Sequence, residues 1–196
     1  MMTLHYGTAI KNKSMKGDIP YLTLSFLEKG KNDGRVPMYE SDTNINDIIV
    51  VKDGYRSGMV LKGKDGKLGS TMLALRLNSD FSNVISTEFL YYYLSFATNN
   101  LNLFQQGSTI RHLRKEKFLK IEIPVIELSK QKNICNYLNP IYDKKEKISQ
   151  SIYKIERLLF FINNKKKRKI INNNKAILSN LTDIWNNQLE KALSDL

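Results

Sequence analysis

The sequence predicts an α+β chain: a small mixed β/α domain over residues 1–127, a long coiled-coil-forming helix over 128–164, and a basic turn with an amphipathic helix over 165–196. Three observations carry this. Short β-prone runs punctuated by glycine turns fill the stretch up to Leu77. Isoleucine then recurs at every seventh position from Ile134 to Ile162. A last set of apolar residues, from Ile177 to Leu193, returns at helical spacing.

The elements follow in order. Gly17-Asp18-Ile19-Pro20 turns into the run Tyr21-Leu22-Thr23-Leu24-Ser25-Phe26-Leu27, read as a strand, and Lys31-Asn32-Asp33-Gly34 is a turn. Asp47-Ile48-Ile49-Val50-Val51 reads as a buried strand ending at Asp53-Gly54. Met59-Val60-Leu61 and Leu73-Ala74-Leu75-Arg76-Leu77 are two more, around the loop Gly63-Lys64-Asp65-Gly66. A helix starts near Thr87, taken as its N-cap, with Phe89, Leu90, Tyr93, Leu94 and Leu101 on one stripe. A loop at Gly107-Ser108-Thr109, a helical turn near Arg114 to Phe118, and a strand Leu119-Lys120-Ile121-Glu122-Ile123 complete the domain.

Beyond Leu128 the period is helical. Ile134, Ile141, Ile148, Ile155 and Ile162 form one seam position; Leu138, Lys145, Ile152 and Leu159 form the other. A 3.5-residue repeat must bury that stripe against another helix, and a single polar seam residue such as Lys145 fixes register at a cost in stability. All nine residues are therefore expected at a helix-pairing interface; the competing reading is an amphipathic helix lying on the core of its own domain. Pro140 is expected to kink the helix or start a new one. The block Lys165-Lys166-Lys167-Arg168-Lys169 is read as a turn before a second amphipathic stretch carrying Ile177, Leu178, Leu181, Ile184, Trp185, Leu189 and Leu193.

The chain has 196 residues, 41% hydrophobic and 26% charged, a soluble globular composition. No apolar run approaches the roughly 18 residues of a membrane span, and the N-terminal residues do not read as a signal peptide. A cytoplasmic location is expected, in keeping with a single cysteine, Cys135, read as a small buried hydrophobe. Net charge is +12. Residues 1–127 hold 17 basic and 13 acidic groups, hence +4; residues 128–196 hold 14 and 6, hence +8. Such a balance points to a polyanion, although 24 of the 31 basic residues are lysine, a bias that AT-rich coding also produces.

Catalytic signatures are weak. Gly58-Met59-Val60-Leu61-Lys62-Gly63-Lys64-Asp65 has P-loop spacing but ends in Asp65, where a hydroxyl is needed for magnesium. Asn139-Pro140-Ile141-Tyr142 is similar to the Asn-Pro-Pro-Tyr signature of amino-methyltransferases, yet it lies within the heptads and no glycine-rich cofactor loop follows a strand. His5 and His112 have no ligand-spaced Cys or carboxylate, so no metal and no cofactor is expected.

Two loops carry the functional expectation. Tyr55, Arg56 and Ser57, continuing to Lys62, Lys64 and Lys67, place an aromatic ring and cations on glycine turns, where backbone can approach phosphate and arginine can reach a guanine edge. Gln105-Gln106-Gly107 leads into Ser108, Thr109, Arg111, His112, Arg114 and Lys115, which offer hydroxyl, imidazole and guanidinium groups together. Ordinary hairpin turns and a helix cap are the competing structural readings of these loops.

With these loops, the ordered set Gly107-Ser108-Thr109-Ile110-Arg111-His112-Leu113, then Phe118-Leu119-Lys120-Ile121-Glu122-Ile123-Pro124, then Glu127-Leu128-Ser129-Lys130-Gln131-Lys132-Asn133-Ile134, resembles the end of the target-recognition domain in specificity subunits of Type I restriction–modification enzymes. Asp53-Gly54 with Ser57-Gly58, Gly69-Ser70-Thr71 and Phe89-Leu90-Tyr91-Tyr92-Tyr93-Leu94 resemble one branch of that family, and the likeness runs over residues 6–159. The family's usual Pro-Pro and Glu-Glu-Gln stand here as Val125-Ile126 and Ser129-Lys130-Gln131. The resemblance implies a non-catalytic, half-length specificity subunit with one recognition domain, binding double-stranded DNA. It implies as partners a second copy or another half subunit, methyltransferase (modification) subunits, and a restriction/translocase subunit joining for cleavage. Leu181, Trp185 and Leu189 are expected to pack on the long helix or on a modification subunit. The alternative is a basic coiled-coil nucleic-acid binder without sequence preference.

Overall fold

A computed structural model describes residues 1–10, 14, 16–159 and 164–196. Nine strands are described: β1 (Met2–Tyr6), β2 (Ile19–Leu22), β3 (Arg35–Val36), β4 (Ile48–Val51), β5 (Val60–Lys62), β6 (Lys67–Leu68), β7 (Met72–Leu77), β8 (Gln105–Gln106) and β9 (His112–Leu113). The α-helices are α1 (Leu24–Lys29), α2 (Thr87–Ala97), α3 (Lys115–Leu119), α4 (Leu128–Leu158) and α5 (Asn164–Leu193). The chain is α+β, a mixed domain followed by a long helix and a C-terminal helix, as the sequence predicts.

The central sheet has the order β1-β7-β4-β5 and is antiparallel throughout. Its middle strands are apolar at every position of β4 because both faces are covered. Ile48, Val50, Leu73 and Leu75 point to a core shared with α2, α4 and α5; Ile49, Val51, Met72 and Ala74 point to a second core with Leu22, Leu27 and Leu68. A smaller sheet, β3-β2-β6, closes the second core.

Several elements differ from the sequence reading. The run expected as one strand from Tyr21 to Leu27 leaves the sheet at Thr23, whose hydroxyl accepts the Phe26 N–H at 3.1 Å and caps α1. Ser86, not Thr87, caps α2, accepting from the Phe89 N–H at 3.1 Å. The stretch expected as a strand ending at Ile123 is instead the end of α3 and an irregular segment. Ile121, Ile123 and Ile126 pack half-buried on the core, and the Ile126 carbonyl accepts from the side chain of Gln131 at 2.8 Å. Helix α4 runs on through Pro140. The basic block at 165–169 lies within α5 rather than in a turn.

The cover for α4 comes from within the chain. Read as sequence, its seam needs another helix; in the fold, α5 turns back antiparallel and supplies it. Trp185 sits against Tyr142 and Tyr92, with ring centroids 5.7 and 5.8 Å away, and Leu189 and Leu193 join the main core. Leu138, Ile152 and Leu159 are buried inside the chain, while Ile134, Ile141, Ile148 and Lys145 are partly covered. Ile155 stays 45% exposed, and Ile162 lies outside the described residues.

Candidate nucleic-acid interface

The fold brings the two loops together. The Leu113 N–H donates to the Lys52 carbonyl and the Gly54 N–H to the Arg111 carbonyl, each at 2.8 Å. Gln105 binds across the junction: its buried amide nitrogen donates to the carbonyls of Tyr55 at 3.0 Å and Ser57 at 2.9 Å, and its oxygen accepts from Arg111. This role of Gln105 has no signature in the sequence; only the three-dimensional pairing shows why an amide, donor and acceptor at once, belongs there.

Gly107 makes the tight end of the β8–β9 hairpin. Its φ is +96°, and a Cβ there would lie 2.4 Å from the Ile110 carbonyl oxygen, so only glycine fits. Beyond it Ser108, Thr109, Ile110, Arg111 and His112 are exposed, followed by Arg114 and Lys115 at the start of α3. Arg111 also donates to Asn102 at 2.9 Å. Lys115 stands 5.2 Å from the Tyr6 ring centroid, and Tyr55 is 72% exposed on the neighbouring turn. These residues form one surface of hydroxyls, cations and an aromatic ring.

Five of the expected contacts are not on that surface. Ser57 is fully buried beneath the turn, a correction that follows from Gly58 and Gln105 folding the chain over it. Arg56 points inward: it donates to Glu28 on α1 and lies 3.7 Å from the Met59 sulfur. Burial pushes the Glu28 carboxyl up against the pull of Arg56, Lys29 and Lys145. Lys67 is tied to Asp42 at 2.8 Å. Lys64 reaches Glu146 on α4 at 3.5 Å.

Lys62 stands among three aromatic rings. Its ammonium lies 4.3, 4.9 and 5.4 Å from the ring centroids of Tyr142, Tyr92 and Tyr91, donates to the Tyr92 hydroxyl at 3.1 Å, and faces Glu88 at 3.6 Å. Desolvation raises the phenol pKa of Tyr92 and of Tyr142, so these rings stay neutral donors around the cation. Two lysines that sequence reading places on phosphate, Lys62 and Lys64, therefore bind the domain to α4. The lone Cys135 is buried, its thiol pushed up to about 12 by desolvation, which fits the small-hydrophobe reading.

A cleft of about 410 Å³ separates α1, β5 and α2 from the α4–α5 hairpin. Glu28, Arg56, Lys145, Tyr142 and Trp185 line it. Burial lowers the Lys145 pKa to about 8, opposed by Glu28 and Glu146 and reinforced by Arg56; its ammonium stands 5.0 Å over the Trp185 ring. Among the described residues no cluster of His, Cys, Asp or Glu is arranged to hold a metal, and no helix is long and apolar enough to cross a membrane.

Comparison with known proteins follows this geometry. A Type I restriction enzyme specificity subunit, MjaVIII, of Methanocaldococcus jannaschii is 30% identical over 130 residues, 65% of this chain and 30% of that protein. The crystal structure of a Type I restriction–modification S subunit from M. genitalium superposes with a TM-score of 0.61 at 24% identity, covering 81% of this chain and 41% of that one, and establishes the shared fold. The chain thus spans well under half of both relatives. Residues 2–157 match the sequence model described as the Type I restriction modification DNA specificity domain. With four fifths of its length inside that match, the chain belongs to the Type I restriction–modification DNA specificity domain family.

Proposed function

We propose that this chain reads one part of a bipartite duplex DNA site and serves as a half specificity subunit, its helices pairing with a second recognition unit and scaffolding methyltransferase subunits. It supplies recognition and no catalysis; methyl donor and nucleotide belong to the partners. The observation that supports this best is the joined surface of residues 53–55 and 106–115, distant in sequence and locked together by Gln105 and two backbone hydrogen bonds. Such a surface pairs groups suited to base edges, Arg111 and His112, with groups suited to phosphate, Lys115 and the hydroxyls of Ser108 and Thr109. Residues 1–127 form the reading unit, and α4 with α5 forms the arm.

The arm keeps apolar residues outside after folding back on itself: Ile155, Leu158, Ile177 and Ile184 are 45, 68, 47 and 46% exposed. Those residues suit a further helix from a second copy or another half subunit. The reading is tested by measuring affinity for a duplex selected from a random pool against bulk random DNA. A ratio of 10³ or more is expected for specific recognition at physiological salt. A ratio near one with a steep salt slope would assign the chain to charge-driven, sequence-independent binding instead. Comparing the methylome of cells with and without the gene tests the link to modification.

A further inference from the structure

The proposed DNA face is dominated by donors, and one pair of side chains on it has the opposite character. Asp53 and His112 are partners in an isolated antiparallel bridge, which fixes their backbones side by side. His112 Nδ1 lies 2.7 Å from Asp53 Oδ1, and Lys52 Nζ lies 3.0 Å from Asp53 Oδ2. The imidazole is half exposed, with its Nδ1 edge turned to the carboxylate and its Nε2 edge on the far side of the ring. The Asp53 carboxyl is held below the ordinary range: burial acts to raise it, but hydrogen bonds from His112 and Lys52, the charge of Lys52 and, when the ring is protonated, that of His112 outweigh burial. An ionised carboxylate only accepts hydrogen bonds, so the 2.7 Å contact requires the proton on Nδ1. A neutral imidazole in that tautomer presents a lone pair at Nε2.

We propose that Asp53 is a positioning residue that makes His112 a base-reading acceptor, its Nε2 receiving a hydrogen bond from an exocyclic amine, adenine N6 or cytosine N4, in the major groove. This inference rests on the DNA-recognition reading and goes beyond it by assigning the chemistry of one read position. Arginine and lysine at this face favour guanine O6 and N7, because those atoms accept; an acceptor rejects them and also rejects thymine O4. The neighbouring charges keep the assignment consistent. Arg111 is turned to Gln105 and Asn102, and Lys52 neutralises Asp53, so no carboxylate oxygen is left opposed to a phosphate without a cation beside it.

The test selects preferred duplexes from a randomised pool with the full chain and with His112→Ala and Asp53→Asn. The wild-type selection is expected to contain one position where adenine or cytosine is preferred about tenfold over guanine or thymine. His112→Ala should flatten that position to within about twofold and leave the others sharp. Asp53→Asn, whose amide can also donate and so no longer enforces the tautomer, should flatten the same position. Replacing the selected adenine by purine, or cytosine by 2-pyrimidinone, removes the amine; the loss should be about tenfold in wild type and absent in His112→Ala. Imidazole ¹⁵N shifts supply a reading independent of DNA: the proton should sit on Nδ1 in wild type and be redistributed in Asp53→Asn. An unchanged selection in His112→Ala, a preference for guanine or thymine at the affected position, or a wild-type proton on Nε2 would each overturn the inference while leaving sequence-specific binding intact. A wild-type chain that selects no sequence at all overturns the DNA-recognition reading and this inference with it.

Discussion

Gln131 is fully buried and satisfied three times: its amide nitrogen donates to the Val84 and Ile126 carbonyls and its oxygen accepts the Ser86 N–H, all at 2.8 Å. It thereby ties the first turn of α4 to the N-terminus of α2 and to the irregular segment before α4. Replacing it by alanine leaves three buried backbone groups without that partner, each worth about 1–3 kcal/mol and not additive, so Gln131→Ala is expected to cost roughly 3 kcal/mol in chemical denaturation. A cost below about 1 kcal/mol would show that water or a backbone shift replaces the amide. On the proposed DNA face the residues divide by chemistry. Arg111→Ala is expected to lose about 1–3 kcal/mol on the selected duplex and to relax preference at one base, whereas Lys115→Ala should weaken all duplexes alike and lower the salt slope by about one. Anisotropy titrations at several salt concentrations separate these; equal losses on specific and random DNA for both variants would place both on phosphate.

At the scale of elements, the contact between domain and arm holds a partly covered positive charge, Lys145. Lys145 titrates near 8 in the folded chain against an ordinary 10.5, because burial disfavours its charged form. Below pH 8 it is charged in both states, and folding carries the full desolvation cost. As pH rises from 8 towards 10.5 the unfolded chain binds more protons than the folded one, so stability rises and the cost fades. Lys145→Met, of similar length, should therefore stabilise by about 1–3 kcal/mol at pH 6.5. That gain should shrink by pH 10.5. Thermal melts at the two pH values check this; a gain that does not depend on pH would point to packing on Trp185 instead of relieved charge.

The same arm shows what sequence could and could not tell. The helical period of α4 and α5 and the strands β4, β5 and β7 were legible, because a seven-residue repeat and an unbroken Ile-Ile-Val-Val run each admit few arrangements. The covering of α4 by α5 was legible only as one of two options, α5 on the long helix or on another subunit, because a heptad seam specifies a helix partner and not whose helix it is. β1 leaves no signal in the sequence, being a short run of mixed polarity whose pairing with β7 is entirely long-range. The proximity of the two proposed DNA-facing loops is not written in the sequence. The inward turn of Arg56 and the enclosure of Lys62 are not either, since Glu28 and the three tyrosines that hold them lie far away in sequence.

For the molecule as a whole, folding back divides the apolar residues of the arm into two sets. Ile152, Leu159, Trp185, Leu189 and Leu193 are buried within the chain, while Ile155, Leu158, Ile177 and Ile184 remain outside. If the outer set joins two copies, charges placed there act on assembly and not on the fold. Ile155→Asp combined with Ile184→Asp should keep the circular dichroism and melting temperature of the parent, because both side chains are already near half exposed. In light scattering the same double variant should run at the monomer mass of 22.7 kDa where the parent runs at twice that value. Ile152→Asp serves as the contrast: an unpaired carboxylate in the covered seam should lower the melting temperature whatever the oligomeric state. A parent chain that is itself monomeric at micromolar concentration would remove self-pairing and leave the outer face to a different half subunit or to a modification subunit. A double variant that unfolds would instead show that Ile155 and Ile184 serve the hairpin, and that the arm has no separate assembly surface.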